Sequence, residues 1–81
     1  MTAQPTPVTV RVPVRLGQLL QITGIADTGA DARDLLAAED VTVDGEVDTR
    51  RGRQLHGGEV ISVRTASGVE SVRVEAEGGA A

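Results

Sequence analysis

The sequence contains no Cys, Phe, Tyr or Trp, and only one His and one Met. Without Cys there are no disulfide frameworks, thiolate metal sites or cysteine nucleophiles. The lone imidazole, His56, cannot build a multi-His metal centre, and Ser62, Ser67 and Ser71 carry no nucleophile signature around them. Carboxylates are plentiful, but no spacing among them singles out an acid/base pair. The lack of aromatic rings excludes the usual single-strand readers, which stack bases on such platforms. No apolar run approaches the roughly 18 residues of a membrane span. The opening MTAQPTP has no basic region ahead of an apolar stretch. These absences predict a cytoplasmic, non-enzymatic domain with no catalytic residues, no metal, no cofactor, no membrane contact and no small-molecule substrate.

What is present suits one small core. In 81 residues, twelve Val, six Leu and three Ile must supply nearly all the apolar interior, which suggests marginal stability. The net charge is −4, but it is unevenly spread: residues 49–58, TRRGRQLHGG, hold three Arg and no acid, and the remainder carries −7. Such a basic focus on an acidic body can hold phosphate while the body repels nonspecific contact. A competing reading pairs these arginines with Asp44, Glu46 and Asp48 in a solvated loop.

Periodicity organises the chain. Val8, Val10, Val12 and Val14 alternate with Thr9, Arg11 and Pro13, the period of a half-buried strand with Pro13 at its end or on an edge. Leu16, Leu19 and Leu20 then fall on one helical stripe that Gly24 can stop. Thr28 and Asp31 resemble a capping box opening a second helix with Ala32, Leu35 and Leu36 inward, ending near Ala38 to Asp40. Val41-Thr42-Val43 resumes strand, and Asp44-Gly45 is a hairpin signal. A two-residue turn there pairs Thr42 with Val47 and puts Val47 on the face opposite Val41 and Val43, so a longer loop or a bulge is expected. Strands follow over 59–65 and 69–75, with turns at Gly57-Gly58 and Ser67-Gly68. The predicted fold is α+β: an N-terminal strand, two short helices and a small antiparallel sheet over residues 8–75, between disordered tails at 1–7 and 76–81. The expected core is Leu16, Leu19, Leu20, Leu35, Leu36, Val41, Val43, Leu55, Ile61 and Val63. Free edges at Val8 to Val14 or Val69 to Glu75 could pair between chains; the expected state is a monomer.

The order of motifs carries more than their composition. RLGQLLQITGI (15–25), TGADARDLL (28–36) and VTVDGEVDTRRGRQLHGGEVISV (41–63) together resemble the RNA-binding domain family named after ribosomal small-subunit protein four, in its stand-alone form. The matching positions include Arg15, Leu16, Leu19, Leu20, Gly24, Gly29, Ala32, Arg33 and Leu35. They continue through Val41, Val43, Gly45, Glu46, Arg50, Arg51, Gly52, Arg53, Leu55, Gly58 and Val60.

That resemblance implies that Arg15 on the first helix, Arg33 on the second and Arg50, Arg51 and Arg53 on the connecting segment meet structured RNA. Ribosomal or transfer RNA, and with it the ribosome, are the implied partners. Guanidinium forks on phosphate suit this and need no aromatic platform. Several positions depart from the family pattern. Gln21 and Gln54 stand where Lys is usual, His56 replaces a commonly basic residue, Glu39-Asp40 replaces Gly and an apolar residue, and Asp44 replaces Asn. Two alternatives remain at this level. One is a protein-interaction module on the same fold. The other is a β-grasp sulfur carrier, whose Gly-Gly terminus is echoed by Gly78-Gly79 but followed here by Ala80-Ala81.

Overall fold

The computed structural model describes residues 4–78. The chain runs β1 (Thr6–Val10), β2 (Val14–Arg15), α1 (Leu16–Ile22), α2 (Gly29–Ala37), β3 (Val41–Val43), β4 (Glu46–Val47), β5 (Gln54–Leu55), β6 (Val60–Thr65) and β7 (Gly68–Ala76). Five strands form one mixed sheet in the order β1-β7-β6-β3-β4, and β2 pairs with β5 separately. The class is α+β. The sheet is antiparallel from β4 to β7, and β1 adds to it in parallel, with Thr6 opposite Val72 and Val10 opposite Ala76.

The alternating valines of residues 8–14 do not form one strand. Pro13 has no amide to donate to a ladder. The chain leaves the main sheet after Val10, and Val14 is taken up by a different partner, Leu55. Pairing starts at Thr6, inside the stretch expected to be a tail, and runs to Ala76 at the other end. Residues 1–3 and 79–81, including Gly79, lie outside the described residues. Of the two edges expected, the one at Val8 to Val14 holds for Val8 to Val10 in β1, and the one at Val69 to Glu75 does not hold. β7 is internal, with β1 and β6 on either side, and the sheet's two edges are β1 and β4.

Local chemistry sets the helix ends. Thr28 caps α2 by accepting the Asp31 amide at 3.1 Å. At its far end the amides of Glu39 and Asp40 donate to the carbonyls of Leu36 and Leu35, at 3.1 and 3.2 Å. That is the double bond of a Schellman stop, and it forces Glu39 to φ 61°, a conformation that favours glycine. Gly24 takes the same left-handed conformation after α1, at φ 79°.

The Asp44-Gly45 turn keeps its two residues, both at positive φ (52° and 87°), as a twist-matched hairpin turn requires. Neither a longer loop nor a bulge intervenes: Thr42 pairs with Val47, and Val47 is left 53% exposed on the outer face. Asp44 fills the Asn position well. Its amide donates to the Val60 carbonyl, and its Oδ1 accepts the Val60 amide at 2.9 Å.

One core cluster unites the sheet's inner face with the helices. It joins Val10, Val41, Val43, Ile61, Val63, Val72 and Val74 to Leu16, Leu19, Leu20, Ala32 and Leu36, with Val14, Ala26 and Leu55 alongside. Of the expected core only Leu35 is misplaced. It is half-buried at the flank, because Ala32 and Leu36 already occupy the inward i, i+4 positions of α2.

Leu20 has no exposed surface. Leu20→Ala is therefore expected to cost about 2–5 kcal/mol, read as a lowered urea midpoint. Glu39→Gly works in the opposite direction, relieving the left-handed residue and raising stability by about 0.5–1 kcal/mol in the same titration.

Candidate nucleic-acid interface

The first turn of any helix carries backbone amides with no intrahelical partner. In α1 two of these are satisfied from far along the chain. The Leu16 amide donates to the Arg53 carbonyl at 2.8 Å, and the Gly17 amide to the Arg51 carbonyl at 3.0 Å. These bonds extend the β2–β5 pairing, in which Val14 faces Leu55 and Arg15 faces Gln54. The arginine-bearing loop is thereby bound along the start of α1.

The loop is shaped by Asp48, whose side chain is 6% exposed. Its Oδ1 accepts the Arg50 amide at 2.9 Å and the Arg50 Nε at 3.1 Å. Its Oδ2 accepts one terminal nitrogen each from Arg50 and Arg53, both at 2.8 Å. The Arg50 hydrogen bonds hold this carboxyl far below the usual carboxylate range, and those from Arg53 and the Arg50 amide reinforce them against the opposing effect of burial. The reading that paired the loop arginines with neighbouring acids therefore holds for two arginines and one acid. Arg50 keeps 70% of its side chain exposed and Arg53 30%.

Arg51 is held differently. Its Cγ lies so close over Gly17 that a Cβ at that position would collide with it. The stem therefore lies along α1, and the missing side chain of Gly17 is what permits it. Among the described residues no carboxylate lies within ion-pair distance of Arg51 or Arg15. Arg15 is exposed at the N-cap of α1, where its amide donates to the Gln18 Oε1 at 3.2 Å.

Arg15 and Arg51 line one groove of about 330 Å³, together with Gly17, Gln18, Gln21, Gly29 and Gly52. No acid contributes to it. Of the five arginines singled out from sequence, the fold brings Arg15 and Arg51 into this groove. Arg50 and Arg53 are held on Asp48 outside the groove lining, and Arg33, exposed one turn along α2 from Gly29, is outside it too. A second groove, lined by Ile25, Asp27, Asp31, Asp34, Leu35 and Asp40, holds carboxylates and no base. α2 contributes residues to both, so charge of opposite sign is separated across it.

Sequence reasoning missed two contributors, Gly17 and Gln18, which carried no signal beyond their place in the first motif block. Asp48 was one of three acids offered as partners of the loop arginines, and its burial was not foreseen. His56 is exposed beside Gly57, and its amide and that of Gly57 donate to the Glu59 carboxylate at 2.8 and 2.7 Å. Among the described residues no group of three His, Cys, Asp or Glu side chains could hold a metal ion. No helix among them is long and apolar enough to cross a membrane.

The fold falls within a known class. Residues 10–74 match the S4 domain family, and the chain belongs to that family. The resemblance seen in the sequence motifs is thus to the family that matches. Among particular relatives, the probable ribosome maturation protein RlbA of Bacillus subtilis (strain 168) is 36% identical over 50 residues, 62% of this chain and 70% of RlbA. The solution structure of YbcJ from E. coli, described as revealing an ALFAL motif involved in RNA binding, superposes with a TM-score of 0.64 at 27% identity. That superposition covers 93% of this chain and 92% of YbcJ. The order of elements also departs from a β-grasp carrier, since no hairpin precedes the helices.

Asp48 sets a pH dependence whose sign is fixed. Its folded-state pKa lies below its unfolded value, so its stabilising contribution is complete above the unfolded carboxylate range, near pH 4, and is lost as pH falls below it. Urea midpoints taken between pH 7 and pH 2 are expected to fall with acidification, and to fall less steeply in Asp48→Asn than in the parent.

Proposed function

We infer that the chain is a non-catalytic RNA-binding protein that engages structured RNA, of the ribosomal or transfer class, through the groove between α1, α2 and the arginine loop. The observation that carries this reading is a carboxylate-free groove flanked by two arginines, Arg15 and Arg51, that have no ion pair among the described residues, on a body that is acidic overall. Phosphates bind there through guanidinium forks, and the amides of Gln18 and Gln21 can hydrogen-bond to sugar hydroxyls or base edges. Recognition of this kind uses backbone shape and 2′-hydroxyls and needs no stacking ring. Membership of the S4 family supports the reading, as does the RNA-binding motif ascribed to YbcJ. The ribosome-maturation role in the name of RlbA favours ribosomal RNA. All eight basic residues are Arg, which suits forked phosphate contact better than a diffuse cationic surface would.

The test is a salt titration of binding to two transcripts, a ribosomal RNA stem–loop and a transfer RNA. Affinity is expected to fall as salt rises, because neutralised phosphates release counterions. Replacing Arg15 and Arg51 together by Ala should weaken binding to both and flatten the log-affinity against log-salt slope by about two. An unchanged slope in a folded double variant would refute the assignment of the groove.

A further inference from the structure

Asp48 is out of place for a surface that receives phosphate. It sits at the start of the most basic stretch in the chain, and a carboxylate there cancels positive charge. A solubility acid would be exposed; this one is nearly closed off, with four N–H donors on its two oxygens. Those donors come from Arg50 and Arg53, the residues that bracket Arg51. The turn between them is closed by the Arg53 amide on the Arg50 carbonyl at 3.2 Å, and its Arg51 and Arg53 carbonyls hold the start of α1. The Asp48 amide donates in turn to the Val41 carbonyl on β3, at 3.1 Å. The residue therefore ties the arginine turn to the sheet by its backbone and grips both ends of that turn by its side chain.

We propose that Asp48 is a positioning residue of the interface: it gives up one unit of positive charge to hold the 50–53 turn in the shape that sets Arg51 over Gly17 and beside Arg15. Arg50 and Arg53 then act mainly as structural arms of the clamp, and phosphate is read by Arg15 and Arg51. This rests on the RNA-binding reading above. It makes a prediction opposite in sign to simple charge counting. If Asp48 only lowered the local potential, removing its charge would tighten RNA binding and steepen the salt slope. If it positions the turn, removing it loosens binding although the protein becomes more positive.

The experiment measures Asp48→Asn against the parent full-length chain, with the same ribosomal RNA stem–loop and transfer RNA transcripts, while amide hydrogen exchange is followed at Leu16 and Gly17. Affinity is expected to fall roughly tenfold, a mid-range coupling within one ion-pair network, and the two amides are expected to exchange faster. Gly17→Ala gives an independent arm that keeps the charge constant: its Cβ displaces the Arg51 stem and should weaken binding in the same direction. Should Asp48→Asn fail to fold, Gly17→Ala decides alone. Binding as tight as the parent's or tighter, in either folded variant, overturns the proposal. If the parent binds neither transcript, the RNA-binding reading fails by itself. The exchange data then still decide the clamp, since unchanged protection of Leu16 and Gly17 in Asp48→Asn overturns it and lost protection supports it.

Discussion

The structure depends on the two hydrogen bonds by which the amides of Leu16 and Gly17 reach the carbonyls of Arg53 and Arg51. Each is worth only about 1 kcal/mol net, but they join segments more than thirty residues apart and satisfy helix-end donors that would otherwise need a cap or water. Directly behind them Val14, Leu16 and Leu55 are buried in the core. The polar seam and the apolar packing therefore hold each other in place: the core fixes where α1 starts, and the start of α1 fixes where the loop lies. Without that seam the arginine segment would be a long surface loop with no defined relation to either helix.

Electrostatics is layered on this frame. The chain is acidic as a whole, yet Asp27, Asp31, Asp34 and Asp40 line one groove and Arg15 and Arg51 another, with α2 contributing residues to both. These two flanks therefore carry potentials of opposite sign, close enough to give the surface a direction. Asp48 adds a second level of sorting. By taking Arg50 and Arg53 as its partners it leaves Arg51 as the loop arginine without an ion pair among the described residues. A count of arginines thus overstates the uncompensated positive charge of the loop.

The departures from the family pattern fall into two physical kinds. Asp44 costs the fold little, because its carboxylate oxygen accepts the Val60 amide and its backbone tolerates the turn. Glu39 is held in a left-handed conformation better suited to glycine, a local strain that the Schellman bonds and the packed α2 impose. Gln21 lies in the groove itself, where it exchanges a positive charge for a hydrogen-bonding amide. Its effect therefore falls on the charge of the groove, and the backbone is not involved.

Features governed by near neighbours in the chain were legible from the residues alone. Thr28 before Asp31, Gly24 after the first leucine stripe, Asp44-Gly45 between valines and the 3.6-residue spacing of Leu16, Leu19 and Leu20 each act over a few residues, and each appears where its pattern placed it. The family motif was legible too, because its linked blocks lie in fixed order. Tertiary structure alone decided the rest. That Val14 leaves the strand of Val8 and Val10 for Leu55, that β1 runs parallel to β7, and that Leu35 yields the interior to Ala32 and Leu36 depend on which surfaces meet after folding. The three loop arginines divide along the same line. The pairing of Arg50 and Arg53 with Asp48 spans two and five residues and was among those the sequence offered, whereas the seat of Arg51 over Gly17 joins distant parts of the chain, and no local pattern encodes which helix surface a loop side chain will meet.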